Sequence, residues 1–280
     1  MSTSKDLDQF FTKKDTAEDI FTDVEDIIMT LHDDVHFVEP SAGSGTWIDV
    51  VQDHGYNIVA YDIDSKRDDI IQCDYLQEVI PYDKNRVIIG NPPFGKRSKL
   101  ALQFLNKGLT EADTVCFIVP VQFIKYLTQK NVDIDAQLVY SKFLPENVFT
   151  FDDKDYSVRT VFQIWTKVDN DYDNLRITTK PPVTHPDFIM KQYNCTKSAK
   201  KFLYEDWDLA VLRQGWGDMT PLDPGTPLDE KKQWMLFHAK DPQVLDNIRN
   251  IDFNELGKKN TSVRGFGKAD VVEEYNRLYG

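Results

Sequence analysis

Short runs of β-branched and aromatic residues alternate, over the first 120 residues, with segments whose apolar side chains recur every three or four positions. The runs predict buried strands, because each is short and is stopped by Gly, Pro or polar residues. The three-to-four spacing predicts amphipathic helices. The predicted strands are residues 36–38, 57–61, 70–73, 86–90 and 114–119, and the predicted helices are residues 16–31, 100–109 and a segment through 47–51. This alternation predicts an α/β fold with a doubly wound, mostly parallel sheet.

The pattern changes in the second half of the chain. Residues 137–140 and 158–165 are strand-like and would close the sheet with an antiparallel edge, after a helix around 121–128. From residue 169 onward, prolines break the chain repeatedly, which indicates irregular structure with one strand at 233–238 and helices near 244–251 and 269–278. We therefore predict a first domain at 1–168 and a smaller C-terminal region at 169–280.

Composition narrows the class of protein. Of the 280 residues, 41% are hydrophobic, which is enough for a substantial core. There is no apolar run of about 18 residues and no apolar signal segment, so we expect neither a membrane span nor secretion. Because Cys73, Cys116, Cys195 and the five histidines show no paired or ligand spacing, we expect a reducing, cytoplasmic location and no metal site.

The net charge of −13 looks unsuited to a partner rich in phosphate. Its distribution changes that conclusion. Residues 1–90 hold 20 acidic and 7 basic residues, so the remaining 190 hold 26 of each, by subtraction from 46 and 33. The acidity belongs to the N-terminal part, and the rest of the chain is free to carry local basic patches.

A glycine-containing turn follows the first strand. Residues 39–45 read Glu-Pro-Ser-Ala-Gly-Ser-Gly and lead into the helical pattern that includes Trp47. Glycines let the backbone approach a ligand, and a helix start offers free N–H groups, so this turn is typical of a nucleotide site. Ile48 stands where the dinucleotide fingerprint needs a third glycine, and there is no GK[ST], so neither a dinucleotide site nor a P-loop is expected.

Polar side chains follow four of the predicted strands at their carboxyl ends. They are Glu39, Asp62, Asp74 and Asn91. Because ligands of doubly wound sheets bind at this edge, we expect these side chains to lie close together. A carboxylate such as Asp62 at a strand end can accept both hydroxyls of a ribose.

The sequence Asn91-Pro92-Pro93-Phe94 ends the strand at 86–90. The prolines fix φ and remove two N–H donors, so carbonyl groups here stay outside the sheet ladder. The Asn91 oxygen and a main-chain carbonyl can accept the two hydrogens of an exocyclic amine, while Phe94 stacks on the ring that carries it. These residues suit the binding of an aminopurine, although a strand-ending turn with a buried Phe has the same sequence pattern.

Together, Phe10-Phe11-Thr12, EPSAGSG, Asp62, Asp74 and NPPF resemble the adenine-N6 DNA methyltransferases whose cofactor motifs come first, NPPF second and recognition region last. The resemblance spans about residues 9–166. It implies a Rossmann-like, seven-stranded methyltransferase sheet, S-adenosylmethionine as cofactor, and a base flipped into the site for methylation. It assigns the target base to Asn91, Pro92, Pro93 and Phe94. The cofactor residues it implies are Phe11, Thr12, Glu39, Pro40, Ser41, Ala42, Gly43, Gly45, Asp62, Ile63, Asp74, Tyr75 and Asn91.

Other acceptors stay open at this stage. An NPP[YF] turn also resembles methyltransferases of RNA bases or of a protein glutamine, and a nucleic-acid-binding module without turnover is a non-enzymatic alternative. Carbon-5 methylation of cytosine is not expected, because no cysteine lies beside the turn. If the partner is nucleic acid, with DNA favoured, the candidate contacts are Lys96, Arg97, Lys197, Arg213, Arg264 and Lys268. The oligomeric state is not predicted.

Overall fold

A computed structural model describes residues 10–151, 154–261 and 263–280. The chain divides into two compact units, residues 1–178 and 179–280. The predicted boundary at 168/169 precedes a segment that belongs to the first unit. There, Arg176 donates hydrogen bonds to the main-chain oxygens of Asp133, Ala136 and Val132.

The first unit contains ten strands and four helices among its described residues. The strands are β1 (Phe11–Thr12), β2 (His36–Glu39), β3 (Ile58–Asp62), β4 (Ile70–Gln72), β5 (Arg86–Gly90), β6 (Thr114–Pro120), β7 (Gln137–Phe143), β8 (Phe149–Phe151), β9 (Lys154–Tyr156) and β10 (Thr160–Thr166). The helices are α1 (Lys14–Leu31), α2 (Thr46–Asp53), α3 (Lys99–Glu111) and α4 (Tyr126–Gln129).

Seven of these strands form one sheet in the order β4-β3-β2-β5-β6-β10-β7. All are parallel except β10, which runs antiparallel to both β6 and β7. Strand order reverses between β2 and β5, so the crevice at their carboxyl ends is where a doubly wound sheet binds ligands. The prediction of a mostly parallel seven-stranded sheet is confirmed, whereas the antiparallel strand expected at the edge is β10, one strand in from the edge strand β7.

Helix α1 shows why the pattern of the sequence produces this packing. Its buried residues, Ala17, Ile20, Phe21, Val24, Ile28 and Leu31, recur at helical spacing and face the core. Elsewhere on this helix, Glu18 and Glu25 both hydrogen-bond the His54 ring at the end of α2, at 2.8 and 3.1 Å. The pKa of His54 is raised, first by the hydrogen bond to Glu18.

One local prediction in the first unit is wrong, and one feature of this unit was not predicted. The helix expected at 121–128 is a 3₁₀ turn, Val121–Ile124, followed by the short α4, because Lys125 between them has extended backbone. A second, three-stranded sheet of β1, β8 and β9 was not anticipated. It pairs Phe11 with Thr150, and such a distant pairing leaves no local pattern in the sequence.

The C-terminal unit is more regular than expected. It contains β11 (Phe188–Tyr193), β12 (Leu209–Gln214), β13 (Gln233–Ala239), α5 (Pro242–Arg249), α6 (Phe253–Leu256) and α7 (Lys268–Tyr279). The strands form an antiparallel sheet in the order β11-β13-β12, so the prediction of a single strand is wrong. This sheet and the helices share their own hydrophobic core. No helix in the described ranges is long and apolar enough to cross a bilayer.

Candidate active site

Four parallel strands bring polar side chains to one edge of the large sheet. Glu39 and Asp62 are the last residues of β2 and β3, Asn91 follows β5 directly, and Asp74 comes shortly after β4. All four line a single cavity of about 440 Å³. Convergence at the strand ends therefore places these four predicted residues together.

Most of the other predicted site residues share this cavity. Its wall also includes Phe11, Thr12, Pro40, Ser41, Ala42, Gly43, Ile63, Tyr75, Pro93 and Lys96. Of the residues predicted for the target base and the cofactor, Gly45, Pro92 and Phe94 are not part of the wall. Gly45 caps the start of α2 in the left-handed conformation, with φ +84°.

The glycine turn is held tightly against the end of β3. Gly43 has φ +53°, and a Cβ added there would lie 2.9 Å from the Phe11 ring. Its N–H donates to one Asp62 carboxylate oxygen at 2.7 Å, and the N–H of Asp64 donates to the other at 2.8 Å. Asp62 thus fixes the turn as well as lining the cavity, so its substitution is expected to disturb both.

Four buried polar atoms on this wall have no hydrogen-bond partner among the described residues. They are Thr12 Oγ1, Glu39 Oε2, Trp47 Nε1 and Asn91 Oδ1. An unpaired buried donor or acceptor costs about 1–3 kcal/mol, so most buried polar groups are paired. Four such atoms around one cavity are typical of a site shaped for a polar ligand.

Trp47 is the member of this group that the sequence did not reveal. It is 1% exposed and lies at the start of α2, where its ring packs against Phe162 with 6.2 Å between ring centroids. Sequence reasoning assigned it to the apolar face of the helix. The available signal was its position two residues after Gly45, where a helix start faces the ligand.

Glu39 is the most deeply buried acid of the site, at 2% exposure. Burial raises its pKa well above the ordinary value of 4.5, and the negative charge of Asp62 raises it further. Gly90 at the end of β5 lies close to this side chain, since a Cβ at Gly90 would be 3.3 Å from Glu39 Cγ. Burial and the charge of Asp62 thus both favour the protonated form of this carboxyl group, and one of its oxygens, Oε2, has no hydrogen-bond partner.

The amide of Asn91 has a fixed orientation. Its nitrogen donates to the main-chain oxygen of Phe10 at 2.9 Å, and its own main-chain oxygen accepts from Ser41 Oγ at 3.3 Å. Because a carbonyl only accepts, the amide nitrogen must face Phe10, and the buried acceptor Oδ1 of this cavity-lining residue is left unpaired. This is the atom that the sequence analysis expected to receive an amine.

Phe94 occupies a different position from the one expected of a base-stacking ring. It is 7% exposed, and its ring packs against Phe10 and Phe149, with centroid separations of 6.0 and 6.2 Å. Phe10 in turn stacks on Tyr156 at 4.3 Å. The unanticipated sheet of β1, β8 and β9 brings these rings together, and of Phe10 and Phe94 only Phe10 is part of the cavity wall.

The candidate phosphate contacts differ in exposure. Lys96 and Arg97 follow the turn at 91–94 with exposed side chains, and Lys197 is exposed in the C-terminal unit. By contrast, Arg213 donates to the Phe266 carbonyl at 3.2 Å and Lys268 to the Met190 carbonyl at 2.6 Å. Burial lowers the pKa of both.

Arg264 is also engaged within the C-terminal unit, donating to the carbonyl of Trp216 at 3.2 Å. No cluster of three or more His, Cys, Asp or Glu side chains suited to a metal ion occurs within the described ranges.

Comparison with known proteins identifies remote structural likenesses only. No protein-family model and no curated protein matches the chain. A proposed RNA methyltransferase of Pyrococcus horikoshii has a TM-score of 0.46 and 16% identity, over 58% of this chain and 88% of that one. A proposed class I S-adenosylmethionine-dependent methyltransferase of Listeria monocytogenes has a TM-score of 0.45 and 15% identity, over 61% and 64%.

The 23S rRNA methyltransferase ErmE has a TM-score of 0.40 and 14% identity, over 56% of this chain and 69% of that one. With TM-scores below 0.5, these likenesses are too remote to assign an activity. The strand order and direction described above establish the fold.

Proposed function

We propose that this protein transfers a methyl group from S-adenosylmethionine to the exocyclic N6 amine of adenine in DNA. The observation that carries the proposal is the unpaired Asn91 Oδ1, which shares one cavity with the glycine turn and the carboxylates at the strand ends. An acceptor for an amine and a site for a nucleotide-like cofactor thus adjoin each other. Both lie at the crevice where the strand order of the sheet reverses.

The cavity wall fits the chemical groups of S-adenosylmethionine. Asp62 offers carboxylate oxygens to the ribose, and Ile63, which is 53% exposed, offers an apolar surface to the adenine. Thr12 and Trp47 supply a hydroxyl and an indole N–H for the carboxylate of the methionine part, while Glu39 is placed to accept from its ammonium group. When bound, the cofactor supplies an electrophilic methyl group on a sulfonium centre.

The catalytic contribution of the protein in this proposal is positioning. Asn91 Oδ1 accepts one hydrogen of the target amine, so the nitrogen lone pair is withdrawn from the ring and directed along a fixed line. The Phe10 carbonyl keeps the amide in this orientation through the 2.9 Å hydrogen bond. No covalent nucleophile is needed.

Methyl transfer to competing acceptors tests the proposal. The full chain is incubated with methyl-labelled S-adenosylmethionine and with DNA, RNA or a glutamine-containing peptide, and the labelled acceptor is identified by mass spectrometry. We expect N6-methyladenine in DNA. Label confined to RNA or to the peptide would identify one of the other acceptors, and cofactor binding without label in any acceptor would refute the transfer activity.

Asn91→Ala separates the target site from the cofactor site. Because the side-chain oxygen is assigned to the amine, we expect transfer to fall by at least about 100-fold, as when a single positioned donor or acceptor is removed. Cofactor affinity should stay within about three-fold of wild type, because the substituted side-chain oxygen is assigned to the amine and not to the cofactor. The exposed Asn250→Ala, in the C-terminal unit, is the matched control. A large loss of cofactor binding in Asn91→Ala would show that this side chain serves the cofactor instead.

A further inference from the structure

The two ends of the sheet in the C-terminal unit differ in the charge of the residues that lie beyond them. Register pairs Tyr193 and Leu212 with the same residue, Trp234, so the carboxyl ends of β11 and β12 and the start of β13 meet at one end. The residues just beyond that end include the cations Lys197, Lys231, Lys232 and Arg264. The residues beyond the opposite end include Asp187, Asp206, Asp208 and Asp241, together with Lys240.

Several cations at the first end, which we call the basic end, are not neutralised. The side chains of Lys197, Lys231 and Lys232 are exposed and form no ion pair with any described residue. Of the nearby acids, Glu230 pairs with Lys200 at 2.8 Å, while Asp229 and Asp218 keep their negative charges and are outnumbered by Lys197, Lys231, Lys232 and Arg264. The basic end therefore presents positive charge to solvent.

An exposed tryptophan stands among these cations. Trp216 follows β12 and is 71% exposed, which is unusual for so large an apolar side chain. The other tryptophans are Trp47, Trp165 and Trp234, which are buried, and Trp207, which packs partly buried against the core of the C-terminal unit. Packing within the described chain explains the positions of those four tryptophans. It does not explain why Trp216 is exposed.

The loop that carries Trp216 is fixed to the sheet. The Gly215 N–H donates to the Arg264 carbonyl at 3.0 Å, and the Arg264 guanidinium donates to the Trp216 carbonyl at 3.2 Å. Gly217 lies so close to Leu212 that a Cβ there would approach its side chain to 2.9 Å. The backbone is thus held on both sides while the indole projects outward. A rigidly mounted aromatic ring loses little conformational entropy when it binds a flat partner.

We propose that the basic end binds a nucleic-acid strand, with Trp216 stacked on an accessible base and Lys231 and Lys232 beside the neighbouring phosphates. Stacking platforms flanked by cations are how proteins hold unpaired bases and the backbone between them. The class of partner rests on the proposed function, but the site is separate from the methyl-transfer cavity, which lies wholly in the first unit.

Binding of the full chain to three probes tests the inference. They are a short single-stranded DNA, its RNA counterpart and the corresponding DNA duplex, measured by fluorescence anisotropy without cofactor. Trp216→Ala should bind the preferred probe roughly five-fold to a hundred-fold more weakly, the range for losing one base–aromatic stack. A base stacked on Trp216 should also quench the emission of this tryptophan. Trp216→Phe should retain part of the affinity but should not show this quenching.

The lysines are tested through the salt dependence of binding. Replacing Lys231 and Lys232 with Gln should reduce the slope of log affinity against log salt by about 1.4 for a single strand, since each phosphate contact contributes about 0.7. The matched controls lie near the opposite end of the sheet. They are Lys240→Gln and Ile189→Ala, a 63% exposed aliphatic side chain, and both should bind within about two-fold of wild type.

The outcomes separate this inference from the proposed activity. If Trp216→Ala binds every probe like wild type while remaining folded by circular dichroism, or if wild type binds none of the three probes, the inference is overturned. If the chain binds through Trp216 but transfers no methyl group to any acceptor, the proposed activity fails and the nucleic-acid site stands. If Trp216→Ala still transfers methyl groups and binds every probe like wild type, the inference about Trp216 fails and the proposed activity stands.

Discussion

Glu39→Gln is the most informative single substitution in the cofactor site. Gln has nearly the same shape as the neutral carboxyl group but cannot ionise. In the wild type the carboxyl is 2% exposed, one of its oxygens has no partner, and its pKa is raised chiefly by burial. The folded chain therefore keeps a proton that the unfolded chain releases above its ordinary pKa of 4.5.

The sign and the size of the pH effect follow from this difference. As pH rises from 4.5 toward the folded pKa of Glu39, the free energy of unfolding falls by up to about 1.4 kcal/mol per pH unit. Glu39→Gln should lack this contribution, so its stability relative to wild type should increase over the same window. Urea unfolding at a series of pH values measures the two curves.

Cofactor binding should show the opposite trend. A cationic ammonium beside Glu39 favours the ionised carboxylate, so binding releases a proton and affinity should rise by up to about ten-fold per pH unit. Titration calorimetry in two buffers of different ionisation enthalpy measures the released proton. Glu39→Gln should bind more weakly, with little pH dependence, and methylthioadenosine, which has no ammonium group, should show none with either protein.

Another buried glutamate provides the control. Glu111 is 3% exposed but is satisfied by the Tyr75 hydroxyl at 2.5 Å and by Lys107. Glu111→Gln should destabilise the fold, because it breaks a paired group, and should leave the pH dependence of cofactor binding unchanged. If wild type and Glu39→Gln show parallel curves for both stability and affinity, the reasoning about Glu39 is refuted.

Three further predictions follow from the same geometry. Trp47→Phe removes an unpaired N–H, so the free energy of unfolding should change by less than about 1.5 kcal/mol while cofactor affinity falls roughly ten-fold or more; equal affinity would exclude a contact from the indole. Gly43→Ala should cost about 1–2 kcal/mol of stability, because φ is +53° and the new Cβ meets the Phe11 ring, and should weaken the cofactor in calorimetry. Because the pKa of His54 is raised, its stabilising contribution is complete below pH 6.5 and is lost as pH rises through the folded pKa; His54→Asn should therefore melt closest to wild type at alkaline pH.

The central sheet is predictable from the sequence because its strands are buried on both faces. Every residue of β6 and β10 is buried, so both strands are mostly apolar in sequence, with Gln163 as the one amide within β10. The ends of parallel strands then fix where polar side chains gather, which is why the sequence alone indicates that Glu39, Asp62 and Asn91 lie together.

The parts that could not be predicted depend on partners distant in the chain. Strand β11 is half exposed, with a lysine and prolines nearby, and its alternating pattern becomes interpretable only beside β13. The ring of Phe94 contacts Phe10 and Phe149, which are brought to it by pairings between distant segments such as Phe11 with Thr150. The motif at residues 91–94 specifies the backbone turn, but these contacts between distant segments determine which side chains surround the Phe94 ring.

The N-terminal strand β1 links the two functions assigned to the cavity. On one side, Thr12 lines the cofactor site and its carbonyl accepts a hydrogen bond from Thr46, in the first turn of α2, at 3.1 Å. On the other side, the carbonyl of the preceding Phe10 holds the Asn91 amide. The same short segment therefore orients the group that we propose to receive the amine and contributes to the wall of the proposed cofactor site. Because β1 is anchored only by β8 among the described strands, loss of that pairing would release both halves of the site together.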